Sequence, residues 1–328
     1  MKTISIIVPE QAVMQAISGP QYCFNAVNQF LVVAGKEPLF KVQLAGHKSP
    51  IVSDDGIYSI HPDVLFNEVK SSDLVIIPPL FGNMSRAIEK NADAVPFIYD
   101  QYIKGAEIAS LCVGSFLLAK TGLLNGKKCS THWGFISEFR EMFPEVDVQD
   151  GTIITEENGI YSSGGANSYW NLLLYLVEKY TDRDTAILAS KYFAIDLDRD
   201  NQLSFAVFKG QKDHNDKEIL EAQEYIEKNI DERISVDCLA DKVALGRRSF
   251  ERRFKQATNN SVLEYIQRVK IEAAKRSFEN SRKNINEVMY DVGYTDTKAF
   301  RVTFKKITGL TPVEYRNKYN KMAALISN

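Results

Sequence analysis

The sequence predicts an α/β parallel-sheet domain followed by an all-α domain with two helix-turn-helix motifs. Three observations carry that expectation: apolar β-branched runs that alternate with helical stretches, a pattern that occurs twice near the C-terminal end, and a charge that divides unevenly along the chain. The length of 328 residues, 45% hydrophobic and 25% charged, suits two packed domains and is too apolar for a disordered chain.

The elements follow in order. Strands are expected at Ile4–Val8, Phe40–Ala45, Leu74–Pro78 and Glu107–Cys112, with helices at Tyr22–Val33 and Val113–Lys120 between them. Strands separated by helical stretches imply βαβ units and a mostly parallel sheet covered on both faces. Shorter strands follow at Asp147–Gln149, Thr152–Thr155 and Gly159–Ser163, then helices at Asn167–Tyr180 and Arg183–Tyr192. An Asp- and Asn-rich stretch from Asp196 to Asp216, broken by the apolar patch Leu203–Phe208, reads as the last element of the first domain and a linker. The expected division is residues 1–205 as the first domain, 206–216 as the linker and 217–328 as the second domain.

Several classes are excluded early. Cys23, Cys112, Cys129 and Cys238 form no C-x-x-C pair, so neither a disulfide scaffold nor a zinc ribbon is expected, and no motif calls for a metal or a cofactor. Apolar runs such as Leu172–Val177 are far shorter than the ~20 residues that span a bilayer. The run Ile4–Val8 is too short for a signal-peptide core. A cytoplasmic chain without a membrane partner is expected.

The formal net charge of −2 conceals a division. Residues 1–216 carry 18 Lys and Arg against 26 Asp and Glu, which is −8, and residues 217–328 carry 22 against 16, which is +6. A basic segment attracts phosphate backbones.

The repeated pattern gives that basic segment a shape. Val236–Lys255 and Ile285–Lys305 each read as a short amphipathic helix, a tight turn and a second helix that ends Phe-x-x-x-Phe-Lys, with Phe250 and Phe254 matching Phe300 and Phe304. Aromatics four apart share one helix face, so each copy has the form of a helix-turn-helix. With the aromatics inward, Arg247, Arg248 and Arg252 of the first copy and Thr297, Lys298 and Arg301 of the second face outward, with Arg253 and Lys305 completing the candidate DNA-binding set. Such helices present side chains to base edges in the major groove while flanking cations meet phosphates. Between the copies, Ser261–Asn280 reads as one connecting helix with Leu263, Ile266, Val269, Ala273 and Phe278 as its apolar residues. A rigid spacer of this kind suits two contacts about 34 Å apart, one turn of DNA. The region 217–320, and Asp291–Arg316 above all, closely resembles the AraC/XylS-type DNA-binding domain. That resemblance implies two recognition helices in successive major grooves, with promoter DNA as the partner. Gly246 stands where the family often has a Ser cap, and Gly caps nearly as well as Thr.

In the first domain, Ala109–Ala119 places Cys112 at a strand-to-helix turn, with Gly114 permitting a close approach. A helix N-terminus there favours thiolate, and such a turn displays a nucleophile. Residues 112–127 followed by Ser130-Thr131-His132-Trp133 resemble the nucleophile-elbow region of the DJ-1/PfpI superfamily, and Ser162–Gly165 resembles its later strand-loop-helix. The resemblance implies a flavodoxin-like, class I glutamine amidotransferase-like fold over residues 3–205, with Cys112 and His132 at its site. The acidic residue that enzymes of that superfamily hold near the thiol falls on Gln15 here, with Glu10 the only nearby carboxylate. Pro78–Gly82 replaces the glycine pair near the oxyanion site. Cys112, His132, Gln15 and Asn83 therefore form the candidate pocket, with no catalytic set assigned. The combined resemblance implies a sequence-specific transcriptional regulator, with the first domain sensing a small-molecule effector or pairing two copies as a homodimer. The alternatives are a Cys-dependent hydrolase or amidase regulated through its second domain, and redox sensing by Cys112.

Overall fold

A computed structural model describes residues 1–53, 56–197 and 201–320. Three positions of the acidic stretch after Asp196 and the last eight residues of the expected 217–328 domain lie outside these. Two compact units divide the chain, Met1–Gln202 and Leu203–Asn328.

The first unit holds, in chain order, β1 (Lys2–Ile7), α1 (Gln15–Val33), β2 (Phe40–Gly46), β3 (Ile51–Val52), β4 (Ser59–Ile60), β5 (Val64–Leu65), β6 (Leu74–Ile77), α2 (Met84–Lys90), α3 (Ala94–Ile103), β7 (Glu107–Leu111), α4 (Ser115–Lys120), β8 (Lys128–Cys129), α5 (Ile136–Met142), β9 (Asp147–Val148), β10 (Ile154–Glu157), β11 (Ile160–Ser163), α6 (Tyr169–Tyr180) and α7 (Arg183–Phe193). Seven strands form the main sheet in the order β10-β11-β7-β6-β1-β2-β5. All its pairings are parallel except β10 with β11. This is the expected parallel sheet, and its layers follow from alternation along each strand. Ile4 and Ile6 of β1, with Leu74 and Ile76 of β6, pack against Ile17 and Phe24 of α1 and Leu173 and Val177 of α6. Ile7, Val75 and Ile77 face the other way, onto Met84, Phe97, Phe116 and Leu117.

Helix α1 starts at Gln15, earlier than the expected Tyr22, and runs through Pro20. Burial of Ala16, Ile17 and Gly19 outweighs the backbone hydrogen bond that a proline removes. At Gly19 a Cβ would lie 2.9 Å from the Tyr169 hydroxyl, so the glycine lets α1 and α6 approach. Strand β7 ends at Leu111, one residue before the expected end, because Cys112 enters the turn with φ +54°.

The second unit is all helical among its described residues: α8 (Lys217–Lys228), α9 (Val236–Lys242), α10 (Arg247–Thr258), α11 (Val262–Asn280), α12 (Ile285–Asp291), α13 (Thr297–Thr308) and α14 (Pro312–Tyr319). Helices α9–α10 and α12–α13 are the two helix-turn-helix copies. The second helices start 50 positions apart (247 and 297) but the first helices 49 apart (236 and 285), so the second turn is one residue longer. Each copy has its own core, and α11 serves both. Val262, Tyr265 and Ile266 join Leu239, Phe250 and Phe254, whereas Ile271, Ala274 and Phe278 join Val288, Phe300, Phe304 and Tyr315. Leu263, expected on the apolar face, is 58% exposed. Neighbours Val262 and Tyr265 take the buried positions, because the stripe must serve a different partner at each end of the helix.

The segment expected as a linker is held by the second unit. The Phe208 N–H donates to Glu272 Oε2 at 3.1 Å, and the Lys275 ammonium donates to the Ala206 carbonyl and to Glu272. Gln211 accepts through its carbonyl from Gln223 at 2.7 Å. Residues 203–216 contain Lys209, Lys212, Asp213 and Asp216, so dividing the chain at Gln202 leaves the charges at −8 and +6. No helix among the described residues is long and apolar enough to cross a membrane.

Candidate functional site

The outward faces of α10 and α13 are built by their inward ones. Phe250, Phe254, Phe300 and Phe304 are fully buried, which turns Arg248, Arg252, Lys298, Arg301 and Lys305 to solvent. Thr297, the first residue of α13, is half-buried, and Asp296 caps that helix by accepting from the Ala299 N–H at 2.7 Å. Two of the eight candidates are engaged within the protein. Arg247 is exposed but bridges Asp237 and Glu251. Arg253 is half-buried, with its guanidinium forked onto Asp216 at 2.8 and 2.6 Å and onto Glu218 at 2.7 Å. This raises the Arg253 pKa and holds the Asp216 carboxyl below its usual range. Arg253 thus pins α8 to α10.

Sequence reading missed what fixes the two copies relative to each other. Lys270 of α11 is buried, and its ammonium donates to the carbonyls of Glu232 at 2.8 Å, in the loop that leads from α8 into the first copy, and of Val292 at 3.0 Å, in the second copy. Burial pushes the Lys270 pKa down. Gly293, at φ +71°, lies so close that a Cβ would sit 2.5 Å from the Asp231 carbonyl oxygen. A glycine directly after Asp291-Val292 is the available sequence signal, whereas a lysine on a helix ordinarily reads as solvated.

In the first unit the elbow forms as expected, with a 3₁₀ turn over Cys112–Gly114 leading into α4. A Cβ on Gly114 would lie 2.5 Å from the Ile77 carbonyl oxygen, so the turn sits directly against the end of β6. The Cys112 N–H donates to Ser163 Oγ at 3.3 Å, and its carbonyl lies 3.1 Å from Ser115 Oγ, which is 2.8 Å from Thr131 Oγ1. The thiol chemistry differs from expectation. Cys112 is 6% exposed, and burial pushes its thiol up to about 12, against a smaller lowering by the Val113 N–H. Desolvation of the charged form outweighs the helix terminus.

Among the described residues no hydrogen bond joins the four candidate pocket residues to one another. His132 is half-buried, accepts the Gly134 N–H on Nδ1 at 3.0 Å and packs beside Trp133; burial lowers its pKa. Gln15 is exposed at the start of α1. Asn83 caps α2 by accepting from the Arg86 N–H at 3.1 Å. Glu10 bonds to Lys48 at 2.5 Å and faces His47; the Lys48 ammonium lowers its pKa. Next to His132, the 1% exposed Gln202 fills the wall. Its amide donates to the Thr131 carbonyl at 2.8 Å and accepts the Trp133 N–H at 3.2 Å. A Cβ on Gly164 would collide with that amide.

A cavity of about 320 Å³ lies elsewhere, lined by Val13, Met14, Val52, Tyr58, Ile60 and Phe81 among others. The segments after β1 and β6 form one side of it, joined by the Phe81 N–H to the Gln11 carbonyl at 2.8 Å. Strands β1 and β6 are neighbours from which the chain winds in opposite directions. Their carboxyl ends mark the topological switch point, where open α/β sheets bind ligands.

The family model described as the DJ-1/PfpI family matches residues 2–179, more than half of the chain. The chain belongs to the DJ-1/PfpI family. A second model, described as a helix-turn-helix domain, matches residues 239–318, so a DJ-1/PfpI unit precedes an AraC-type helix-turn-helix domain. The HTH-type transcriptional regulator GbdR of Pseudomonas aeruginosa is 27% identical over 265 residues, which is 80% of this chain and 71% of that one. The HTH-type transcriptional regulator ArgR of the same species is 27% identical over 214 residues, 65% of each chain. Among solved structures, a ThiJ/PfpI family protein from Pseudomonas syringae covers 60% of this chain and 76% of its own, at a TM-score of 0.50 and 20% identity. It shares the fold of the DJ-1/PfpI unit.

Proposed function

We propose that the chain is a sequence-specific DNA-binding transcriptional regulator that acts on promoter DNA as a homodimer in the cytoplasm. The observation that carries this reading is the pair of helix-turn-helix copies on one shared helix, locked through Lys270, each with an exposed cationic face. The DNA contacts are assigned to Arg248, Arg252, Lys298, Arg301 and Lys305, with Thr297 and Arg247 at the helix starts. The DJ-1/PfpI unit takes the sensing role, and the cavity at the switch point, with its aromatic and aliphatic walls, is where a small apolar effector would bind. An effector shifts DNA affinity only if it prefers one of two states of the chain.

Hydrolysis by Cys112 is not part of this reading. A thiol nucleophile needs a base held nearby. Among the described residues no hydrogen bond joins Cys112 to His132, Gln15 sits exposed in the expected acidic place, and Glu10 is committed to Lys48. The deciding experiment selects genomic fragments with the full-length protein and footprints the bound ones, with and without small apolar metabolites. A recurrent sequence protected in two patches one helical turn apart is expected. Binding without sequence preference would defeat the proposal.

A further inference from the structure

Aligning α10 with α13 on their Phe-x-x-x-Phe-Lys pattern pairs Arg248 with Lys298, Glu251 with Arg301, Arg252 with Val302 and Lys255 with Lys305. In each helix these positions stand at i, i+3, i+4 and i+7, one continuous face, and all eight are exposed. On α10 the face is charged at every position. On α13 it contains one apolar side chain, Val302, 61% exposed between Lys298, Arg301 and Lys305. Among the described residues of the unit, nothing rewards a valine there. Its β-branch lowers helix propensity, and its neighbours in the Phe300 and Phe304 core are reached from the opposite face.

We propose that Val302 is a specificity-determining residue that packs on the 5-methyl group of a thymine in the half-site read by α13. Thymine is the base whose major-groove edge presents a methyl group, and apolar side chains read it by contact. Lys298, Arg301 and Lys305 surround Val302 with donors for phosphates and guanine edges, which fixes the helix close enough for van der Waals contact. A β-branched side chain keeps few rotamers and arrives pre-shaped. The matching position on α10 carries Arg252, which seeks acceptors, so the two half-sites differ in sequence although the two motifs are copies.

This inference rests on the DNA-reading role proposed above, and its test separates the two. Full-length protein selects its site from a random duplex library, and each thymine of that site is then replaced singly by deoxyuridine, which removes the methyl group and keeps the pairing edge. One replacement, in the α13 half-site, is expected to weaken wild-type binding about fourfold, the worth of one buried methyl group. Val302→Ala, at an exposed helical position that alanine favours, is expected to fold normally and to bind the thymine and deoxyuridine sites equally. A selected site in which every thymine tolerates replacement, or a Val302→Ala protein that keeps the wild-type sensitivity, overturns the assignment alone. A library that returns no preferred sequence overturns the DNA-reading role and the Val302 assignment with it.

Discussion

Two arginines one position apart, Arg252 and Arg253, have different fates: one is exposed on α10 and the other is forked onto Asp216 and Glu218. Arg301→Ala or Arg248→Ala is expected to weaken binding to the selected site by about 1–3 kcal/mol, measured by gel shift. Arg253→Ala should instead lower the melting temperature, since Asp216 and Glu218 lose the guanidinium that holds them, and leave the sequence preference unchanged. The sequence gives no sign of this difference, since the partners of Arg253 lie 37 and 35 residues away. Cysteines divide in the same way. Cys238 is exposed, while burial holds the Cys23, Cys112 and Cys129 thiols at about 12. A neutral-pH thiol reagent is expected to modify native Cys238 first, and Cys238→Ser should leave the native chain nearly unlabelled until denaturant is added. Rapid labelling of Cys112 in that variant would contradict the buried elbow. The raised thiol pKa values also have a sign for stability. Protonated thiols favour the folded chain below about pH 8.5, and that contribution is lost as pH rises toward 12.

Among the elements, α11 unites two cores that the repeat pattern presents as separate. Removing the ammonium with Lys270→Met leaves the Glu232 and Val292 carbonyls without their donor, at a cost of about 1.5–3 kcal/mol. A lowered melting temperature is expected, together with a broadened tolerance for half-site spacing, read by inserting single base pairs between the half-sites. An unchanged spacing preference would show that the helix alone sets the separation. The helix-turn-helix copies were legible because Phe-x-x-x-Phe at helical spacing commits one face to burial and leaves the rest charged. The parallel sheet was legible because its strands are short, largely apolar runs, such as Leu74–Ile77, set between helical stretches. The caps at Asn83, Asp216 and Thr311 open helices α2, α8 and α14, whose buried stripes are mostly small or aliphatic, as in Ile219, Ala222 and Ile226 of α8, and are less plain in the sequence than paired phenylalanines. The elbow was legible as a strand, a turn and Gly114. Its acidity was not, because the burial that raises the Cys112 thiol is completed by a core gathered from segments distant in sequence.

At the scale of the whole chain, a net charge near zero is the sum of two units at −8 and +6. DNA affinity should therefore fall steeply with salt, with log K against log[salt] near −0.9 for each phosphate engaged, although the sequence pI of the chain is about 6.2. A flat salt dependence would argue that the basic faces do not meet a phosphate backbone. The division falls after Gln202, and that residue is moored by its amide between Thr131 and Trp133. Gln202→Ala should speed hydrogen exchange at the Trp133 amide, which loses its acceptor. The connection that leaves for the DNA-reading unit is thus anchored in the wall beside His132, and slack in that anchor is length added to the leash.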